Sequence, residues 1–205
     1  MLSVSRASSQ VLDPPRQGRR RPGHGRRRDV TARGSRPVWS PAILDELVYH
    51  EAKKLVERGT PEGEAERSAQ RLINQMSQAF DDALVTDWEP LDGTYSLPDP
   101  HDEHVVAAAV VGGAEVIVTE NVKHFPAAKL PASIHAVPAR DFAYDTVRQH
   151  LTQACRAVIA ICERSGRHGP KLTASGLLTL LDERYKMTAT VELLSVAPGL
   201  RELIQ

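Results

Sequence analysis

Three acids and two histidines fall within the six residues from Asp99 to His104, in the stretch Leu97-Pro98-Asp99-Pro100-His101-Asp102-Glu103-His104. Acids and histidines packed this closely at the mouth of a helix could do chemistry, because such groups perturb one another's charge. The same residues also suit a plain helix start. Asp99 is a good N-cap, Pro100 fits the first helical position, and Asp102 can meet orphan amides and the positive end of the helix dipole. The next residues favour chemistry. Val105 to Val111 reads as a compact Ala/Val helix closed by Gly112-Gly113. Val116-Ile117-Val118 then reads as a buried strand ending in Thr119-Glu120-Asn121, and ligands gather at the carboxyl ends of parallel strands.

Other elements must hold these residues in place. Order is expected to begin at Trp39. Ser40-Pro41 is an N-cap with proline at the first helical position. Ile43, Leu44, Leu47, Val48, Ala52, Leu55 and Val56 then recur at helical spacing until Gly59. A second helix is predicted after Thr60-Pro61, with Ala65, Ala69, Leu72, Ile73, Met76 and Phe80 on one face. Ala83-Leu84-Val85 and Ile134 to Val137 are further short strand candidates. Helices alternating with short apolar strands predict an α/β arrangement with a mainly parallel sheet. Beyond Phe142 the strands stop. Residues 144–164 read as one amphipathic helix carrying Val147, Leu151, Cys155, Val158 and Cys162, and Thr173 caps another with Leu177, Leu178 and Leu181. That all-helical end predicts a small subdomain.

The length of 205 residues suits one domain with an appendage, and 41% hydrophobic residues exclude a wholly disordered chain. No apolar run approaches the ~20 residues of a membrane span. The net charge of zero hides a polarity. Residues 1–36 hold ten arginines against Asp13 and Asp29, a net of +8, which leaves −8 on the rest. An acidic body argues against a simple polyanion-binding surface. The basic leader has too few large apolar residues to offset its ordering entropy, so it is expected to be disordered or poorly packed. A solvated tail and a nucleic-acid arm both remain open for it. It lacks the apolar centre of a signal peptide, and its prolines and glycines would break a transit-peptide helix. Cys155 and Cys162, seven apart on one helix face, are too far apart to bridge. Free thiols fit a reducing cytoplasm.

The segments WSPAILDEL (39–47), LPDPHDEHVVAAAVVGGAEVIVTENVKHFP (97–126) and IHAVPARDF (134–142) resemble the PIN-domain nucleases, particularly the VapC-like toxins of bacterial toxin–antitoxin pairs. The resemblance implies a three-layer α/β/α domain over residues 37–143, a degraded or disordered segment 1–36 before it and a helical extension over 144–205. It also implies a divalent-metal-dependent endoribonuclease. Glu46 matches the family's helix glutamate, Asp102 the aspartate opening the Ala-rich helix, and Asp99 an accompanying acid. Thr119 and Asn121 match the polar strand end, where they would position water or substrate. Glu46, Asp99 and Asp102 would hold Mg²⁺ or Mn²⁺, joined by Asp13, because Val11-Leu12-Asp13 looks like the end of the family's first strand. The cation would activate water and neutralise charge at an attacked phosphate. Family behaviour further implies an RNA substrate, a homodimer, a cognate antitoxin, a cytoplasmic location and no membrane.

The sequence also departs from the family. Pro14 to Arg28 does not resemble the helix that follows the first strand, whereas Asp29 to Gly34 resembles the family again. His101 and His124 stand where related sequences often carry aspartate. Surface drift is one account. The other is that these two, with His104, tilt the site from Mg²⁺ toward Mn²⁺ or Zn²⁺, since imidazole suits transition metals. The damaged leader and the replaced acid leave a second function open: a catalytically impaired PIN-fold remnant that only binds antitoxin or RNA. Asp45 reads as solvated, Asp81-Asp82 as a helix end, and Trp39 and Trp88 as packing residues.

Overall fold

The computed structural model describes residues 3–6, 36–167 and 170–204. The expectations for Asp13 and for residues 14–28 lie outside the described residues. Ser40 starts α1 (Pro41–Glu57) as expected, its hydroxyl accepting the Ile43 N–H at 3.3 Å. Gly59 ends that run at φ 92°, in backbone space that L side chains avoid. Packed on α1 is α2 (Glu62–Ala79), which buries Ala65, Ala69 and Ile73 while Leu72 and Phe80 stay largely exposed. Phe80 nevertheless sets its edge against Trp39, with ring centroids 5.9 Å apart.

Among the described residues the sheet has four strands: β1 (Ser3–Arg6), β2 (Arg36–Val38), β3 (Val116–Val118) and β4 (His135–Val137), in the order β2-β1-β3-β4. Two expectations are corrected here. Residues 3–6 of the leader form a strand in the middle of the sheet, with Val4 opposite Val38 on one side and Ile117 on the other. Because β1 runs against both neighbours, only the β3/β4 pairing is parallel, so the sheet is not mainly parallel. The strand expected at Ala83-Leu84-Val85 shrinks to a single parallel bridge between Trp39 and Leu84. Its partner runs straight into the Ser40 cap, so no second rung can form.

Leading from the site into the core is α3 (Glu103–Val111), apolar all round from Val105 onward and buried from Glu103 to Ala109. Gly112 closes it where a Cβ would stand 2.9 Å from the Ala108 carbonyl oxygen and about as close to Val85 and Val38. The first apolar cluster gathers α3 with Trp39, Ile43, Leu97, Ile117 and Phe125. Trp39 and Trp88 are both buried, as their packing reading requires.

The rest is helical: α4 (Ala139–Gln149), α5 (Leu151–Arg164), α6 (Ala174–Tyr185), α7 (Thr188–Val196) and α8 (Pro198–Ile204). The single helix expected over 144–164 is two, broken at His150 (φ −131°, ψ 43°). His150 ends α4 by donating to the Thr146 carbonyl and begins α5 by accepting the Ala154 N–H. The turn lets Val147 and Leu151 both face a second cluster built on Cys155, Val158, Leu178 and Leu200. The expected boundary at 143/144 falls inside α4; the helical part starts at Ala139. Both cysteines are free, and burial pushes the Cys155 thiol up, away from nucleophilic use. Among the described residues, no helix is long and apolar enough to cross a membrane.

Candidate active site

A single turn of 3₁₀ helix, Pro100–Asp102, leads into α3. Asp99 is extended (φ −113°, ψ 112°), and its carboxylate accepts the His101 N–H at 3.0 Å. The capping role read from the sequence therefore holds for Asp99. Asp102 makes no capping bond. Its Oδ2 instead accepts from Nδ1 of His124, 2.7 Å away in the turn Val122–His124 that follows β3. Oδ2 of Asp99 lies 3.9 Å from the same nitrogen. One donor atom each from Asp99, Asp102 and His124 thus sits within 4.8 Å of the others. Two carboxylate oxygens and one imidazole nitrogen are a donor set that fits a divalent transition-metal cation.

A cleft of about 360 Å³ opens beside this cluster. Helix α1 supplies Glu46, the entry to α3 supplies His101 and Asp102, and the end of β3 supplies Thr119, Glu120 and Asn121. Helix α1 also lends His50, Glu51 and Lys54, which the sequence reading did not single out. His50 and Lys54 follow Glu46 by four and eight residues, so helical spacing alone would have put them near its face, whereas Glu51, five residues on, lies about 140° round the helix and spacing would not have found it. Thr119 is buried, and its Oγ1 accepts the Asn121 N–H at 3.1 Å. Its own N–H donates to the Val137 carbonyl at 2.9 Å. The threonine thereby shapes the turn that presents Asn121, which is exposed at the cleft.

Two residues of the dense acid–histidine stretch face elsewhere. Glu103 is 3% exposed and accepts the Tyr95 and Leu97 N–H groups at 2.7 and 2.8 Å. It ties down the approach to the site and is no part of the cleft lining. Burial holds the Tyr95 phenol above its ordinary range, with a smaller contribution from the Glu103 charge. His104 is also buried, its ring edge-on to Trp88 with centroids 6.0 Å apart. Its Nδ1 lies 2.8 Å from the His101 carbonyl, and a carbonyl can only accept, so Nδ1 carries the proton. Nε2 has no hydrogen-bond partner and looks toward Oε1 of Glu46 at 3.7 Å.

A model of the PIN domain matches residues 27–123. That match starts ten residues before position 37, where the resemblance had been taken to begin, and so takes in part of the leader. Over 89 residues the chain is 49% identical to "Putative ribonuclease VapC50" of Mycobacterium tuberculosis, a span covering 43% of this chain and 52% of that protein. The chain thus spans about half the length of the curated relative it matches. No solved structure matches it.

Proposed function

We propose that the protein is a PIN-domain, divalent-metal-dependent endoribonuclease, the toxin of a type II toxin–antitoxin pair, a reading supported by the PIN-domain match over residues 27–123 and by the similarity to a VapC protein. The observation that carries the reading is the convergence of Glu46, Asp102, Thr119 and Asn121 on one cleft, from α1, α3 and β3. A cytoplasmic homodimer that binds a cognate antitoxin belongs to the same reading, as do a three-layer arrangement about the sheet and a C-terminal helical subdomain.

Asp99, Asp102 and Glu46 would hold Mg²⁺ or Mn²⁺; Asp13 is a further candidate on sequence alone. When bound, such a cation supplies Lewis acidity and neutralises charge at the attacked phosphate. The protein's own residues do the positioning. Thr119 fixes the turn under Asn121, whose carboxamide can donate to a phosphate oxygen or orient water. His104, pinned by the His101 carbonyl, closes the wall behind Glu46. The direct test incubates purified full-length protein with RNA and Mn²⁺ or Mg²⁺. Cleavage abolished by EDTA is expected, and a folded, monodisperse sample that cuts no RNA with either cation overturns the reading.

The impaired-remnant reading rests on one observation, the hold of His124 on the Asp102 carboxylate. The two readings part on cleavage; the metal preference of the site is a separate question. Imidazole at this position favours a transition metal, so calorimetric titration should show Mn²⁺ binding about ten-fold or more tighter than Mg²⁺, with the ratio narrowing in His124→Asp. Equal affinities that the substitution leaves unchanged would remove His124 from the site.

A further inference from the structure

The cleft cannot hold a polyanion with its own residues. Residues 37–138 carry seventeen Asp and Glu against seven Lys and Arg, a net of −10, whereas residues 139–204 carry nine Lys and Arg against seven acids. Around the cleft, Glu46, Glu51, Asp102 and Glu120 face one Lys, Lys54, whose Nζ is already held by Glu51 at 2.8 Å. Neutralising the scissile phosphate would leave its neighbours along an RNA strand in the same negative field. Those phosphates need cations from another part of the molecule.

Such cations lie alongside. A hollow of about 300 Å³ is lined by Arg140, Arg184, Tyr185 and Lys186, and Glu120 belongs to its wall as well as to that of the cleft. The junction is bonded. Oε1 of Glu120 accepts the Ala139 N–H at 3.2 Å, which ties the end of β3 to the first residue of α4 beside Arg140. The other three residues come from the corner between α6 and α7, and α7 packs on α4. Lys186 turns that corner in the left-handed conformation (φ 56°, ψ 37°), a position that usually takes glycine or asparagine. Tyr185 is half exposed, with the Arg184 guanidinium 5.6 Å from its ring centroid. The acids nearby are Glu120 in the same wall, whose Oε1 is taken by the Ala139 N–H, and Asp141 and Asp145, which line a neighbouring hollow with Arg140 and Lys186. Asp141 sits 3.6 Å from Arg140 with both side chains more than half exposed, so solvent screens the pair. Asp182 is engaged by the Thr188 hydroxyl.

Resting on the PIN-nuclease reading, we propose that this corner binds single-stranded RNA leaving the acid cleft, with phosphates on Arg140, Arg184 and Lys186 and a base stacked on Tyr185. Cationic grooves with aromatic faces hold single strands in this way. The helical extension then becomes the part of the protein that grips substrate.

The test measures binding of a fluorescein-labelled oligouridine to the full chain by anisotropy, in EDTA and across a salt series. Changing Arg140, Arg184 and Lys186 together to Ala should lower the salt slope by about 2. Tyr185→Ala should weaken binding about ten-fold and leave the slope alone. A correctly folded triple variant with unchanged affinity and slope overturns the proposal. So does loss of all binding when Arg19, Arg20, Arg21, Arg26, Arg27 and Arg28 become Ser while the triple variant stays neutral, because the leader would then hold the RNA. Retained RNA binding with lost binding of oligoglutamate assigns the corner to an acidic protein, and overturns it too. Cleavage at saturating RNA separates the two levels. A triple variant that still cuts with an unchanged RNA affinity sinks only this proposal, whereas wild-type protein that cuts no RNA sinks the nuclease reading.

Discussion

Asp102→Asn is expected to leave a folded protein whose RNA cleavage falls by about 10³-fold, since loss even of an outer partner of a metal site commonly costs 10–100-fold and a ligand costs more. The fold should tolerate the change. Asp102 makes no capping bond, its side chain is partly exposed, and its carboxylate is engaged by His124. The amide keeps an oxygen for that ring and loses the charge that would hold a cation. Asp99→Asn makes a useful companion, because the cap on His101 survives with an amide oxygen while the cluster loses one negative ligand. Matched melting curves with matched cleavage rates for Asp102→Asn and wild type would place the chemistry elsewhere.

Glu103→Ala should do the opposite, destabilising the protein without touching the chemistry directly. The carboxylate accepts from two backbone N–H groups, one of them fully buried at Leu97. Removing it leaves the buried Leu97 N–H and the part-buried Tyr95 N–H without that partner, at a cost of about 2 kcal/mol. Glu103→Gln should recover no more than half, because only one of its two terminal atoms can accept. Urea denaturation measures the loss, and a change below about 1 kcal/mol would mean that water reaches the two amides. Cleavage per folded molecule should stay within a small factor of wild type. Asp102 and Glu103 are thus neighbours in sequence with separate roles.

That pair also shows how far a reading of residue types can go. The stretch from Asp99 to His104 announces acids at a helix mouth, and the order of helix, Gly-Gly, strand and Thr-x-Asn is enough to bring Glu46, Asp102 and Asn121 together. The direction each acid faces depends on one turn of 3₁₀ helix at Pro100–Asp102, and no spacing rule separates adjacent residues across it. The engagement of Asp102 by His124 spans 22 positions and forms only once β3 has placed the second turn. Short strands were hardest. Three residues carry almost no periodicity, and their direction is set by partners far away, as when β1 enters the sheet against both β2 and β3. The break at His150 was hidden for the converse reason. The apolar rhythm of Val147, Leu151, Cys155 and Val158 runs unbroken through it, because both helices feed one cluster.

The two apolar clusters share no residue, one gathered around α3 and the other around α5, α6 and α8. Cooperativity in a folded chain comes from side chains that must be buried together, and here they fall into two such groups. Such a division predicts two unfolding transitions rather than one, which calorimetry would resolve. A single midpoint temperature would average over both, and all-or-none bookkeeping would misassign any loss suffered by one of them. The expected result is that heat or denaturant loosens the C-terminal helices while the acid cleft is still assembled, which would give the half that carries the cleft a stability of its own.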